Sequence, residues 1–274
     1  MNQNLPRKSN GRLAFLLLSL LLSLFTAAGA QSCPTGSLTL SSQAQIDAFP
    51  MDYPGCAIMP GTLTITEATP GDITDLSPLS QLTAINGNLV IGSNQSLTSL
   101  QGLEGVTDIT GNLGIAVNPN LLSLNGLNGL VSVYGVFNIL SNQSLSNLSG
   151  LSSLDYIYDF SLVLNPNLDD IGGISQVSTI EDRLYINQCA GLTSLSSIEN
   201  IDISNMSSLS ISNSPNLSIC GVSNICDYVS VPGNTVNISN NAPGCNSLND
   251  VRTACSPFDE MVPFITTWKT DNPG

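Results

Sequence analysis

Seven cysteines, twenty carboxylates and no histidine bound the chemistry open to this 274-residue chain. Without an imidazole, a Ser-His-Asp or Cys-His relay is excluded. Two carboxylates about 5–10 Å apart would suffice for glycoside hydrolysis, so a polysaccharide-acting solenoid enzyme is the third of three functional readings. Asp169-Asp170 and Glu181-Asp182 lack the spaced ligands of an EF-hand loop and read as solvated turn charge. Cys220, Cys226, Cys245 and Cys255 contain no Cys-x-x-Cys pair, which counts against zinc. No metal, no cofactor and no catalytic residue is expected.

The cysteines point instead to an oxidising compartment. Arg7, Lys8 and Arg12 precede an apolar run from Leu13 to Phe25, and Ala28-Gly29-Ala30 then offers a cleavage site. That is the pattern of a secretory signal peptide over residues 1–30. Its removal leaves Arg183, Arg252 and Lys269 against all twenty acids, a net charge of 3 − 20 = −17. Such a surface repels phosphate backbones and anionic lipid. Neither nucleic acid nor a membrane span in the mature chain is expected, and the product reads as a monomer, secreted or held at the cell surface (the outer surface, if bacterial). Cys33 and Cys56 precede the repeats described next and are expected to pair.

The elements that would position any site are announced by self-similarity. One unit reads Leu97-x-x-Leu100-x-x-Leu103-x-x-Val106-x-x-Ile109-x-Gly111-Asn112-Leu113-x-Ile115-x-x-Asn118-x-x-Leu121. The strand-like pairs Leu89/Ile91, Leu113/Ile115, Phe137/Ile139, Phe160/Leu162, Leu184/Ile186 and Leu209/Ile211 advance by 24, 24, 23, 24 and 25 residues. Asn94, Asn118, Asn142, Asn165, Cys189 and Ser214 follow each pair at one fixed offset and keep the same steps. A unit this short cannot bury its own leucines, so neighbours must stack around a shared core. The expected fold is mainly β: a right-handed parallel β solenoid of about six leucine-rich repeats of 23–25 residues with disulfide-stapled N- and C-terminal caps. Each turn is expected to contribute one strand, with tight extended turns where apolar residues recur every third position and no helix inside the repeats. Ser42 to Phe49 reads as a capping helix, and Thr62-Leu63-Thr64-Ile65 as an imperfect first turn.

The six residues at the fixed offset read as a structural ladder, because a buried carboxamide must find backbone partners. Cys189 in that row reads as a buried, unpaired thiol. Asn94 and Asn142 also begin Asn-x-Ser sequons, as do Asn147, Asn205, Asn216 and Asn237. Asp159 and Arg183 precede aligned strands and read as a surface ion pair across neighbouring turns. The outward residues offer a flat binding face by geometry. Its candidate members are Val90, Asn138, Leu140, Ser161, Val163, Tyr185 and Asn187, with an apolar and aromatic centre at Leu140, Val163 and Tyr185. Tyr134, Tyr156 and Tyr158 lie in nearby turns.

The repeat, with its Gly-Asn-Leu-x-Ile-x-x-Asn-Pro-x-Leu close, resembles the receptor L-domain type of leucine-rich repeat over residues 33–256. Within that group it is most similar to bacterial leucine-rich surface proteins of the BspA type, since Pro263 to Gly274 resembles the opening strand of their surface-protein modules. The resemblance implies the cap pairings Cys220–Cys245 and Cys226–Cys255, one of three connectivities that four cysteines allow. It also implies a chain that stops where another module begins. The resulting division is 1–30 signal peptide, 31–75 N-terminal cap and first turn, 76–217 leucine-rich repeats, 218–256 Cys-rich cap, and 257–274 linker with the start of a further module. The function implied is non-catalytic binding of, or adhesion to, an extracellular protein or glycan. The alternative is a structural spacer that displays another domain.

Overall fold

A computed structural model of the chain describes residues 33–256. The signal peptide expected at 1–30 and the segment expected to open a further module at 257–274 lie outside the described residues. The described strands are β1 (Leu38–Leu40), β2 (Ile58–Met59), β3 (Leu63–Ile65), β4 (Ala84–Ile85), β5 (Leu89–Gly92) and β6 (Asp108–Ile109). They continue with β7 (Leu113–Ala116), β8 (Ser132–Leu140), β9 (Tyr156–Val163), β10 (Thr179–Asn187), β11 (Ser208–Ser212) and β12 (Thr235–Ser239). All join one sheet, mainly along the path β1-β3-β5-β7-β8-β9-β10-β11-β12, and every strand pairs in parallel. The arrangement is β-rich and solenoid-like. Leu63, Leu89, Leu113, Phe137, Phe160, Leu184 and Leu209 form one continuous row across the strands, and all are buried. Each such apolar side chain contributes about 1.5–3 kcal/mol when withdrawn from water.

A second, shorter row differs from the one strand per turn read from the sequence. Met59, Ile85, Ile109, Val133, Ile157 and Ile180 stack in parallel register through β2, β4, β6 and the first residues of β8, β9 and β10. All six are buried, so the inward pull of an apolar column extends the pairing beyond the Leu-x-Ile stretch. In β8, β9 and β10 the two stretches fuse into strands of 9, 8 and 9 residues.

Another side of the turn also departs from the extended reading. One-turn 3-10 helices occupy Ser77–Leu79, Ser149–Leu151, Gly172–Ile174 and Ser196–Ile198. With three residues per turn, a 3-10 helix aims i and i+3 the same way, which suits the buried triplets Leu148/Leu151/Leu154 and Leu195/Ile198/Ile201. Asp75, Asn147, Asp170 and Ser194 start these helices by accepting the backbone N–H two residues on, at 2.9, 3.1, 2.6 and 3.0 Å. Neighbouring turns approach closely at Gly126 (φ 111°), where a Cβ would collide with the Leu100 carbonyl.

Helices close the ends of the stack. In α1 (Gln43–Asp52), Ser42 accepts the Gln45 N–H as N-cap, and Ile46 and Phe49 are buried. Cys33–Cys56 staples this cap. At the other end α2 (Ser223–Ser230) buries Ile225, Tyr228 and Val229, and α3 (Leu248–Cys255) buries Val251. Disulfides Cys220–Cys245 and Cys226–Cys255 hold that cap together. Among the described residues no helix is long and apolar enough to cross a membrane. The three disulfides fit an extracellular or otherwise oxidising environment.

Candidate functional site

A kink after the strands sets the outer face apart from the inner ladder. Ser93, Val117, Ser141, Leu164, Gln188, Asn213 and Asn240 all have φ between 55° and 59°, the left-handed conformation. The residue after each kink points into the stack. Asn94, Asn118, Asn142, Asn165, Cys189 and Ser214 are accordingly buried without residual exposure. Asn118 Oδ1 accepts the Asn94 backbone N–H at 3.1 Å, Asn142 Oδ1 that of Asn118 at 3.1 Å, and Asn165 Oδ1 that of Asn142 at 3.0 Å. Their Nδ2 atoms, starting with Asn94, donate to the carbonyls of Ile65, Ile91, Ile115 and Ile139 at 3.2, 3.0, 2.9 and 2.8 Å. These carboxamides bond neighbouring turns to one another and present nothing to a ligand.

The ladder extends past the residues found in the sequence. Ser214 donates its backbone N–H to Asn241 Oδ1 at 2.9 Å, and Asn241 lies five residues after Val236, the offset that separates Asn94 from Leu89. That signal was masked because Val236 holds the row position in β12 where the preceding turns carry leucine or phenylalanine. At the other end the Glu67 N–H donates to Asn94 Oδ1 at 3.1 Å. Burial pushes the Glu67 carboxyl up, but N–H donors from Gly71, Gln95, Ile73 and Asp72 outweigh it and leave the group below its ordinary value. Burial pushes the Cys189 thiol up to about 11, so the thiolate required of a nucleophile is scarce at neutral pH.

Strand register assembles the outer face. Val90, Gly114, Asn138, Ser161, Tyr185, Ser210 and Asn237 form one row, and Gly92, Ala116, Leu140, Val163, Asn187, Ser212 and Ser239 form the next. The candidate residues therefore share one side of the sheet, with Leu140 beside Val163 and Tyr185 beside Ser161. Val90, Asn138, Leu140, Val163, Tyr185 and Asn187 are partly exposed, whereas Ser161, at 6 %, is shielded by its neighbours. Asn187 spends its Nδ2 on Ser212 Oγ at 2.8 Å.

Tyr185 adjoins the Asp159–Arg183 ion pair, which the sequence led us to expect at the surface. Arg183 grips Asp159 with two nitrogens, Nη2 to Oδ2 at 3.0 Å and Nε to Oδ1 at 3.2 Å. The Asp159 side chain is only 7 % exposed against 41 % for Arg183, so one partner is buried and the other covers it. Burial raises the Asp159 carboxyl above its ordinary value, while Arg183 opposes that rise. The Arg183 guanidinium carbon lies 5.8 Å from the Tyr185 ring centroid, within cation–π range. Sequence alignment placed Asp159 beside Arg183, but the contact with Tyr185 depends on a side-chain direction that carries no sequence signature.

Most other polar features have structural partners, the buried Asn224 Oδ1 being an exception. A cleft of about 300 Å³ separates Glu199–Ser204 from α2 and carries Glu199, Asp202 and Asp227. Within it Asn224 clamps the Ile198 and Ile201 carbonyls at 2.7 and 2.8 Å, and the Ser204 N–H and hydroxyl hold the Asp202 carboxyl below its ordinary value. Of the sequons, Asn94 and Asn142 are ladder rungs, Asn147 starts a 3-10 helix, and Asn216 and Asn237 donate to Ala190 O and Ser210 Oγ; Asn205 is exposed. Among the described residues no three His, Cys, Asp or Glu side chains converge where a metal ion could sit. No protein-family model, no curated protein and no solved structure matches the chain.

Proposed function

We propose that this chain is an exported, non-catalytic recognition module, a leucine-rich repeat protein of the receptor L-domain type resembling bacterial surface proteins of the BspA type. In this reading it is a right-handed solenoid of about six repeats of 23–25 residues, acting as a monomer, secreted or at the cell surface. Right-handedness accords with the strong preference of parallel crossover connections for that hand. The observation that carries the reading is the uninterrupted register of the two outer rows. Leu140 lies beside Val163, and Tyr185 lies one row away on the same face with Arg183 5.8 Å from its ring centroid. A flat repetitive sheet with a pre-positioned tyrosine loses little side-chain entropy on contact and suits an extracellular protein or glycan.

The test is to secrete the chain from an oxidising compartment and screen it on protein and glycan arrays beside a Tyr185→Ala/Leu140→Ser variant. Binding that the variant abolishes, with its circular dichroism and melting temperature intact, supports recognition through this face. Binding that survives in the variant removes the face from consideration, and no binding to any target transfers the reading to a spacer that displays another domain.

A further inference from the structure

A second surface lies where β8, β9 and β10 turn the corner between the short row and the main row. Val133 pairs with Ile157 and Val136 with Asp159, so β8 has one more residue at the corner than β9. Ile180 pairs with Ile157 and Arg183 with Asp159, so β10 has the same excess. Tyr158 therefore faces Tyr134-Gly135 on one side and Glu181-Asp182 on the other. Tyr156, one row below, packs its ring against Tyr134 at 5.5 Å between centroids. Three of the six tyrosines of the chain thus meet at one corner, with Tyr134 at 52 % and Tyr158 at 40 % exposure.

The charge around these rings has one sign. Glu181 and Asp182 border them on β10, and Asp155 precedes Tyr156 and is exposed. The guanidinium of Arg183 is turned to Asp159 and Tyr185. Burial first, and then the charge of Glu181, raises the Tyr156 hydroxyl above its ordinary value. Aromatic faces and carboxylates share an attraction for cations, and Arg or Lys over Tyr is the favoured protein form of that contact.

We propose that this corner binds an arginine- or lysine-rich segment of a partner protein, with one cationic side chain over the Tyr134 and Tyr158 rings and another at Glu181 and Asp182. Strands β8 and β10 stand about 9.6 Å apart across β9, and alternate residues of an extended peptide are about 6.8 Å apart. Two basic residues at i and i+2 therefore span the corner once their long side chains splay. This surface is distinct from the Tyr185 face, and neither reading depends on the other.

Fluorescently labelled hexa-arginine, hexalysine and an uncharged Gly-Ser hexapeptide, titrated into the secreted chain at 0.15 M salt, test it by anisotropy. Saturable binding is expected in the order hexa-arginine, hexalysine, neutral peptide. Tyr134→Ala/Tyr158→Ala should weaken hexa-arginine by about tenfold, the loss of two ring contacts. Glu181→Gln/Asp182→Asn should weaken it by a similar factor, whereas the charge-matched Asp47→Asn/Asp52→Asn on α1 should change it less than twofold. The proposal is overturned if the two charge variants act equally, if the tyrosine variant binds as the parent does, if no peptide binds, or if only a neutral oligosaccharide such as maltohexaose depends on Tyr134 and Tyr158.

Discussion

Replacing Asn118 by alanine removes one rung from the middle of the ladder, and its cost can be worked out bond by bond. Asn118 Oδ1 accepts from the Asn94 backbone N–H at 3.1 Å and from Asn94 Nδ2 at 3.0 Å. Its Nδ2 donates to the Ile91 carbonyl at 3.0 Å and to Asn142 Oδ1 at 3.2 Å. After truncation Asn94 Nδ2 keeps the Ile65 carbonyl and Asn142 Oδ1 keeps the Asn118 backbone N–H. The Asn94 N–H and the Ile91 carbonyl lose these partners in a dry interior, at about 1–3 kcal/mol each. The small void left by the amide adds to this, giving about 3–5 kcal/mol in all. For a domain of this size each kcal/mol lowers Tm by about 2–4 °C, so the variant should melt about 6–20 °C lower. Urea unfolding followed by far-ultraviolet circular dichroism measures the loss. Asn120→Ala, which deletes only an exposed bond to the Gln95 carbonyl, is the control and should cost about 1 kcal/mol or less. A loss below about 0.5 kcal/mol for Asn118→Ala would refute the reasoning, because it would mean that buried backbone groups at the rung need no carboxamide.

Two further outcomes follow from the same interior. With its thiol raised to about 11 and fully buried, Cys189 should not react with a disulfide reagent at pH 8 in the folded chain, and one thiol should appear on adding denaturant without reductant; rapid modification of the native protein would exclude a closed rung at that position. For Glu67 the sign runs the other way: its folded carboxyl titrates below its unfolded value, so its stabilisation is complete above the unfolded value and disappears as pH falls through the folded one. Glu67→Gln should therefore melt below the parent near pH 7, and the gap should close as the pH falls through the acidic range; a gap independent of pH would show that charge at this position does not contribute.

Much of this architecture was legible because a stack repeats its constraints. Leu113, Ile115 and Asn118 each recur near 24 residues, and the structure converts each recurrence into a parallel row or a hydrogen-bonded rung. The second strand row was harder to see, since Ile85, Ile109 and Val133 also belong to a run with threefold spacing, and a three-residue period does not distinguish a corner from a strand. The 3-10 helices were hidden for the same reason. The left-handed column was not legible either. Only Asn213 and Asn240 are of a type that usually marks this conformation; Ser93, Val117, Ser141, Leu164 and Gln188 hold the other five positions, and the requirement comes from the rung that follows rather than from the residue itself. At the outer face, register could be read from the sequence, but the burial of Ser161 and Asp159 and the Arg183–Tyr185 contact depend on how neighbouring side chains lean.

The unequal repeat lengths show how the stack tolerates change. The 23-residue step from Phe137 to Phe160 coincides with a corner in β9 that is one residue short, yet Ile157 and Phe160 remain in their rows on both sides of it. The 25-residue step from Leu184 to Leu209 is likewise taken up before β11, and all five pairs from Arg183–Ser208 to Asn187–Ser212 stay in register. A one-residue slip inside a strand would turn every side chain to the opposite face, so length variation is confined to corners, where no row is interrupted. The corner that lost a residue is the one where Tyr158 meets two residues on each flank and where Tyr134, Tyr156, Glu181 and Asp182 are brought together. Constant strands with variable corners let the inner rows preserve stability while the corners alter what the surface presents, which is why the shortened corner, as well as the flat face, is a place to look for a partner.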